Sequence, residues 1–448
     1  TVATGGLQLV NGTLKLNNTK DITLVNSGTF SIPNSSQLWV AGPTVNITGS
    51  GSMDLNGKLQ ITNSSTVNIG DSNNDNFLRY AATGNPELII KSGTLALTSQ
   101  LRRPTGSATG NLDYKQTGGD VVVATRQAPE GSRGVFEVVN DGDFTMTGGT
   151  LTVARAQSSG SVASLLLDPA SSSVTGGTIF IGNDSNTPSG ETITVNSSIP
   201  IHNLTVNSTN SPTARLLIRG LDIDNNLLIE SGSTFDANGL PLNVAGNFTN
   251  NATFTSNSNT TTFDGDSQNQ VINGSTTFHN LVINNTFSSG EVAIDNAAAF
   301  TIDVDNNFSL TDGTFEVNQS NVNISGDVEL SDTQVSSNGG VITLNGGTEQ
   351  LITGNGTGSF ADITLNNAAD FEARTPFAVT GTLTLTDGVL NMQEFALTLE
   401  TNSSLSGTFD NSAMITTNGS SGDAGITKVF PDGATPNFTF PIGFNGDF

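Results

Sequence analysis

Phe278-His279-Asn280-Leu281-Val282-Ile283-Asn284-Asn285 is a short alternating strand that runs into an Asn-rich turn, and the chain carries it three times. The other copies are Ile201-His202-Asn203-Leu204-Thr205-Val206-Asn207 and Phe360-Ala361-Asp362-Ile363-Thr364-Leu365-Asn366-Asn367, at intervals of about eighty residues. A second motif keeps nearly the same interval: Asp222-Ile223-Asp224-Asn225-Asn226 returns as Asp303-Val304-Asp305-Asn306-Asn307, with Val379-Thr380-Gly381-Thr382 in the equivalent place afterwards. Repetition at a fixed period marks a solenoid, an array or a propeller.

Inside the long period lies a finer beat, in which apolar residues alternate with polar ones for three to six residues before Gly, Asn, Asp or Ser intervenes. Val174-Thr175-Gly176-Gly177-Thr178-Ile179-Phe180-Ile181 and Leu383-Thr384-Leu385-Thr386-Asp387-Gly388-Val389-Leu390 are examples. Period-two patterning with turn residues at this density predicts short strands buried on one face, and no stretch carries helical periodicity. Propeller blades carry longer strands and aromatic signatures, whereas here one Trp and two Tyr stand against 24 Phe. Phe can stack in a dry interior without a polar atom to satisfy, and Asn can form hydrogen-bonded ladders at turns. The pattern therefore predicts an all-β chain folded as a right-handed parallel β-helix, with tandem β-sandwich modules as the alternative. Coils of roughly 20 to 25 residues would make the long period three or four coils.

With 50 Gly and 34% apolar residues in 448, the chain can bury a narrow column, and its regularly spaced apolar positions argue for order. Residues 1–76 read as N-terminal coils and 161–430 as regular β-helix with the long repeat. Residues 431–448 read as an exit into a following domain, with a new pattern at Val429-Phe430-Pro431-Asp432-Gly433-Ala434. Between them, 77–160 reads as irregular coils with projecting loops. It holds both tyrosines and eight of the fifteen basic residues: Arg79, Lys91, Arg102, Arg103, Lys115, Arg126, Arg133 and Arg155. Loops on a rigid scaffold are where binding concentrates, so Arg79, Tyr80, Arg102, Arg103, Tyr114 and Arg126 are the candidate ligand-binding residues. The structural alternative is that these cations pair with Glu87, Asp113, Asp120, Glu130 and Glu137.

Charged residues make up 12% and the net charge is -25, which disfavours nucleic acid and anionic membranes. No run of about twenty apolar residues inserts in a membrane. The absence of Cys removes disulfides, thiolate metal sites and cysteine nucleophiles. His202 and His279 occupy the same repeated place, where the third copy has Ala361, so they read as turn residues and no catalytic residue is assigned. The motifs shared by the β-helical hydrolases that cut pectin are absent, and paired-carboxylate chemistry would need residues from separate coils. Asp222, Asp224, Asp303 and Asp305 offer calcium the oxygen ligands it prefers, without matching a calcium-loop motif. No cofactor other than that calcium is expected. Thr pairs such as Thr382 and Thr384 do not recur in the constant register an ice-binding face needs. Sequons at Asn11, Asn46, Asn196, Asn203, Asn247, Asn273, Asn323 and Asn437 are frequent in a chain rich in Asn, Ser and Thr.

The run Gly381-Thr382-Leu383-Thr384-Leu385-Thr386-Asp387-Gly388-Val389-Leu390-Asn391-Met392, with Leu397-Thr398-Leu399 after it, and the closing Phe438-Thr439-Phe440-Pro441-Ile442-Gly443 resemble the large, repeat-rich surface proteins of Bacteroidetes. The likeness covers residues 201–448, and the first 200 by composition. It implies type IX secretion, an extracellular, cell-surface location and an adhesin's role, as in gliding motility. It supplies no catalytic residues, and the sorting domain typical of such proteins is not visible in this chain. The expected function is a non-enzymatic adhesive and structural rod, part of a longer polypeptide, whose partners are surface glycans or other extracellular proteins. The competing expectation is a polysaccharide lyase or hydrolase with its groove between Arg79 and Arg155, which requires Tyr80 and Tyr114 on one accessible face.

Overall fold

An apolar residue at every second position lets one side of an extended segment be buried while the other stays wet. The computed structural model describes residues 1–2, 6–81, 84–105, 109–207, 209–288, 290–335, 338–433 and 437–444. Among them the regular structure is 47 strands and no helix. Strands pair in parallel with the strand one coil later, as in Thr94–Leu97 on Thr66–Ile69 and Thr301–Val304 on Asn321–Ile324. The only antiparallel pairs among the described residues are isolated bridges inside turns, Asp71 with Asn74 and Asp410 with Ala413. Parallel stacking at every ladder makes the fold a parallel β-helix and excludes antiparallel β-sandwich modules. No helix among the described residues is long and apolar enough to cross a membrane.

The chain divides into two compact units, Thr1–Leu240 with Asn251–Phe254, and Pro241–Asn250 with Thr255–Phe448. In the first unit the coils with short strands contribute three each, for instance Ser36–Val40, Thr44–Thr48 and Met53–Leu55, followed one coil on by Lys58–Ile61, Thr66–Ile69 and Leu78–Tyr80. Inward residues stack in columns. Val45, Val67, Leu95, Val121, Leu151, Ile179 and Leu204 follow one another in register on seven successive coils, none more than 2% exposed. Each such side chain stabilises the coil by about 1.5–3 kcal/mol of apolar burial.

Within 77–160 the strands lengthen: Asp113–Val123 and Phe136–Val153 run across corners without a loop, as does Leu165–Ile181 after them. The register shifts at those corners, at Gln116/Thr117 and Met146/Thr147. Gly119 and Gly149 turn one of them at positive φ, +72° and +82°. A Cβ on Gly149 would lie 2.3 Å from the Gly119 carbonyl oxygen, so the stack of backbone itself demands glycine there. Among the described residues of this stretch, irregular chain includes 103–105, 109–112 and 124–135.

The second unit keeps three strands per coil, with fully buried Phe248, Phe263 and Phe278 in mutual contact at centroid distances of 5.6–6.1 Å. Here the long repeat acquires its meaning. From Thr276–Phe278, the strand that ends in the second copy of the motif, to Ser359–Phe360, which ends in the third, the chain advances eleven strands. At three strands per coil eleven is not a whole number of coils. The same motif therefore turns a different corner each time it recurs. Of the closing segment, Ala434 and residues 435–436 and 445–448 lie outside the described residues.

Candidate binding surface

The residues singled out between 79 and 126 do not form one accessible face. Tyr80 and Tyr114 alternate inward on their strands and are 1% and 0% exposed. The Tyr114 ring stacks on Phe144 at 5.1 Å and meets Phe136 edge-on at 5.2 Å, while its hydroxyl donates to Gln116 Oε1 at 2.6 Å. Burial raises both phenols well above their ordinary value, and Glu137 adds to the effect at Tyr80. The expectation of a groove lined by both tyrosines is thereby corrected: hydrophobic alternation put them in the core, where no ligand reaches them.

The arginines are tied down. Arg79 Nε pairs with Asp54 at 2.7 Å across one coil. Arg102 is 6% exposed, its guanidinium 4.2 Å above the Phe77 ring and its Nη1 donating to the Arg103 carbonyl at 3.0 Å. Burial pulls its affinity for the proton below the usual arginine range. Arg103 grips the fully buried Glu137, whose Oε1 accepts from Arg103 Nε at 3.0 Å and from its backbone N–H at 2.7 Å, while Oε2 accepts from Gly134 N–H at 3.0 Å. Lys58, Glu87, Lys115 and Asp113 form a further ladder on one sheet face. The pairing expected of Glu87, Asp113 and Glu137 is present.

Arg126 faces a cavity. It donates from Nε to the Ser72 carbonyl at 3.0 Å and forms an ion pair with Asp75, bracing the turn that follows Thr66–Ile69. Beneath it a cleft of about 530 Å3 is floored by outward residues of three strands in register, Asn46, Asn68 and Ala96, with Thr48, Asp71 and Thr98 at its sides. Asn68 Nδ2 donates to Asn46 Oδ1 at 2.8 Å, tying two successive coils together at the floor of the cleft. Asp71 accepts the Gly49 N–H at 2.9 Å, the main reason its carboxyl sits below its ordinary range, with Asn73 and Asn74 assisting. The cleft presents amides and hydroxyls beside internally paired charges, which suits hydrogen bonding to hydroxylated or amide ligands.

The Asp clusters serve the corners. Asp222 and Asp224 flank buried Ile223 and face solvent; Asp303 is half-buried and Asp305 exposed. Asp303 Oδ1 accepts from Asn323 Nδ2 of the next coil at 2.8 Å. Among the described residues no three His, Cys, Asp or Glu side chains gather as a metal site would need. The Asn of each repeat is what the corner uses. Asn203 Oδ1 accepts from Asn225 Nδ2 at 2.9 Å and Asn226 N–H at 3.2 Å; Asn280 Oδ1 accepts from Asn306 Nδ2 at 2.8 Å and Asn307 N–H at 3.2 Å. In the third copy Asp362 accepts the Thr382 N–H at 2.8 Å. His202 and His279 contribute carbonyls, to Asn225 and Asn306, both at 2.9 Å, and Ala361 does the same toward Gly381 at 2.8 Å. Only backbone is needed there, so an alanine substitutes for histidine. Several sequons are spent in this way: the Nδ2 of Asn203 and Asn323 is already donated, and Asn196 is 4% exposed.

Two kinds of residue escaped the reading of the sequence. Gln270 and Gln350 are buried pins: Gln350 Nε2 donates to the Ile324 and Gly326 carbonyls at 3.1 and 2.6 Å, and its Oε1 accepts from Gly346 N–H at 2.8 Å and Asn367 Nδ2 at 3.2 Å. Gln270 repeats this with Val244, Gly246, Gly265 and Asn285. Their recurrence eighty residues apart was the available signal. Trp39, at an outward position of Ser36–Val40, lies under Lys15 Nζ at 3.8 Å and donates to Thr62 Oγ1 at 2.8 Å. Comparison of this chain with protein-family models, with curated proteins and with solved structures finds no match.

Proposed function

We propose that this chain is a non-enzymatic, adhesive and structural module of an extracellular bacterial surface protein, of the repeat-rich Bacteroidetes kind that its sequence resembles, and that it attaches to surface glycans or extracellular proteins. The observation that supports this reading is the use of outward polar side chains to bond one coil to the next. Gln37 with Gln60, Asn46 with Asn68, Asn280 with Asn306 and Thr382 with Ser404 do so at 2.8–3.2 Å. Such a face is rigid and is renewed at every coil, so weak contacts to a repetitive ligand add through avidity. The acidic surplus repels anionic partners and leaves neutral and cationic ones.

Two assays on the same sample test the proposal: retention of beads carrying the chain on glycan-coated surfaces, and release of reducing ends from the same glycans. Retention without release is expected. Release of reducing ends would overturn the non-enzymatic reading in favour of a carbohydrate-cleaving β-helix, and absence of retention on every surface would overturn the adhesive one.

A further inference from the structure

In the second unit, strands Phe371–Ala373, Leu390–Asn391 and Ile415–Thr416 stack in order and set Glu372, Asn391 and Thr416 in one outward column. The chain returns beside the last of them: Ile415 N–H donates to the Pro441 carbonyl at 2.8 Å, and Gly443 N–H to the Ile415 carbonyl at 3.1 Å. That return carries Phe444 to the wall of a cleft of about 640 Å3, where Asn391 and Thr416 also lie with Asp370, Asp387 and Gln393.

Phe444 is 64% exposed and has no ring contact among the described residues, although Phe438, nearby in sequence, packs edge-on against both Phe430 and Phe440. An apolar ring left wet inside a concave site has its natural counterpart in a ligand with an apolar face. The surrounding polar groups retain bonding capacity. Asn391 Oδ1 accepts the Gln393 N–H at 3.0 Å, which leaves Nδ2 to donate; Asp370 Oδ1 accepts the Val389 N–H at 2.8 Å, which leaves Oδ2 to accept. The side chains of Asp387 and Gln393 have no hydrogen-bond partner among the described residues. Among the described residues two carboxylates and no Lys, Arg or His line the cleft, so an anionic ligand is repelled. A pyranose ring has the complementary chemistry: a C–H face for the aromatic ring and equatorial hydroxyls for amides and carboxylates.

We propose that this cleft is a binding subsite for a non-anionic pyranose glycan, stacked on Phe444 and held through Asn391, Thr416, Asp370 and Asp387. The proposal rests on the adhesive reading and assigns it a site and a ligand class. Titration calorimetry of the full chain with chitohexaose, cellohexaose and mannohexaose, and with hexagalacturonate as the anionic comparison, tests it. At least one neutral oligosaccharide is expected to bind, with Phe444→Ala and Thr416→Val each weakening it by about tenfold. Both variants sit on the surface of an otherwise intact coil, and an unchanged melting temperature checks that. Neutral binding undiminished in both variants would overturn this subsite while leaving the adhesive reading standing. Binding of hexagalacturonate alone would overturn the ligand class. Failure of all four probes together with retention on glycan-coated surfaces would overturn the subsite, whereas loss of retention as well would remove the reading beneath it.

Discussion

At the scale of single residues, burial decided which polar groups were available. Tyr80, Tyr114 and Arg102 read as candidate ligand-binding residues in a segment rich in charge, and each, like Glu137, is at least nine-tenths buried. Glu191 shows what such burial does to proton affinity. Its Oε1 accepts the Ala156 N–H at 3.1 Å, its Oε2 is buried without a partner, and burial raises its carboxyl above the ordinary value against the opposing pull of Ala156 and Arg155. A carboxyl that holds its proton more tightly when folded favours the fold fully below its unfolded pKa, about 4.3, and loses that contribution as pH rises through the raised folded value. Glu191→Gln keeps the acceptor for Ala156 and removes the ionisation. The variant's melting temperature should match that of the parent near pH 4 and exceed it by a growing margin toward pH 7. A margin that shrinks with pH would show the carboxylate to be stabilising.

At the scale of the element, the corner is the unit that the repeat encodes. An oxygen on the side chain of residue 280 takes one backbone N–H and one side-chain amide from the coil that follows, at Asn307 and Asn306. The third copy carries out the backbone part with Asp362. Asn280→Asp should therefore be close to neutral, while Asn280→Ala, which strands the Asn307 N–H, should cost about 1–2 kcal/mol in a urea titration. Equal losses in the two variants would mean that the amide nitrogen, not the oxygen, matters. The eleven-strand spacing follows from the same locality: a corner reads only its neighbours one coil away, so nothing requires the sequence repeat to contain whole coils.

At the scale of the whole molecule, outward polar side chains bond one coil to the next, as Asn46 does to Asn68 and Asn280 to Asn306. Asp303 bonds to Asn323, while Asp222 and Asp224 occupy exposed positions either side of buried Ile223. Calcium at about 1 mM, where weak extracellular sites fill, should leave the melting temperature unchanged. A rise abolished by Asp303→Asn would restore the calcium site. Much of the architecture was legible beforehand, because period-two alternation with a turn every few residues admits few solutions and 24 Phe with two Tyr suit a dry stack. The candidate site was legible only in part. Arg126 does line a cleft, but its other walls, Asn46 and Asn68, sit some sixty to eighty residues away in an unremarked run of sequence.

The sequence by itself determined the strands, their inward faces, the turns and the absence of helix, because these depend on neighbours within a few residues. It also announced a long repeat. Only the tertiary structure decided which columns those residues joined, that Arg79 met Asp54 and Arg103 met Glu137, which corner each copy of the repeat turns, and that Phe444 and Asn391 line one cleft. These depend on residues about twenty or more positions apart, and coil lengths that vary from turn to turn leave such contacts unspecified until the backbones stack.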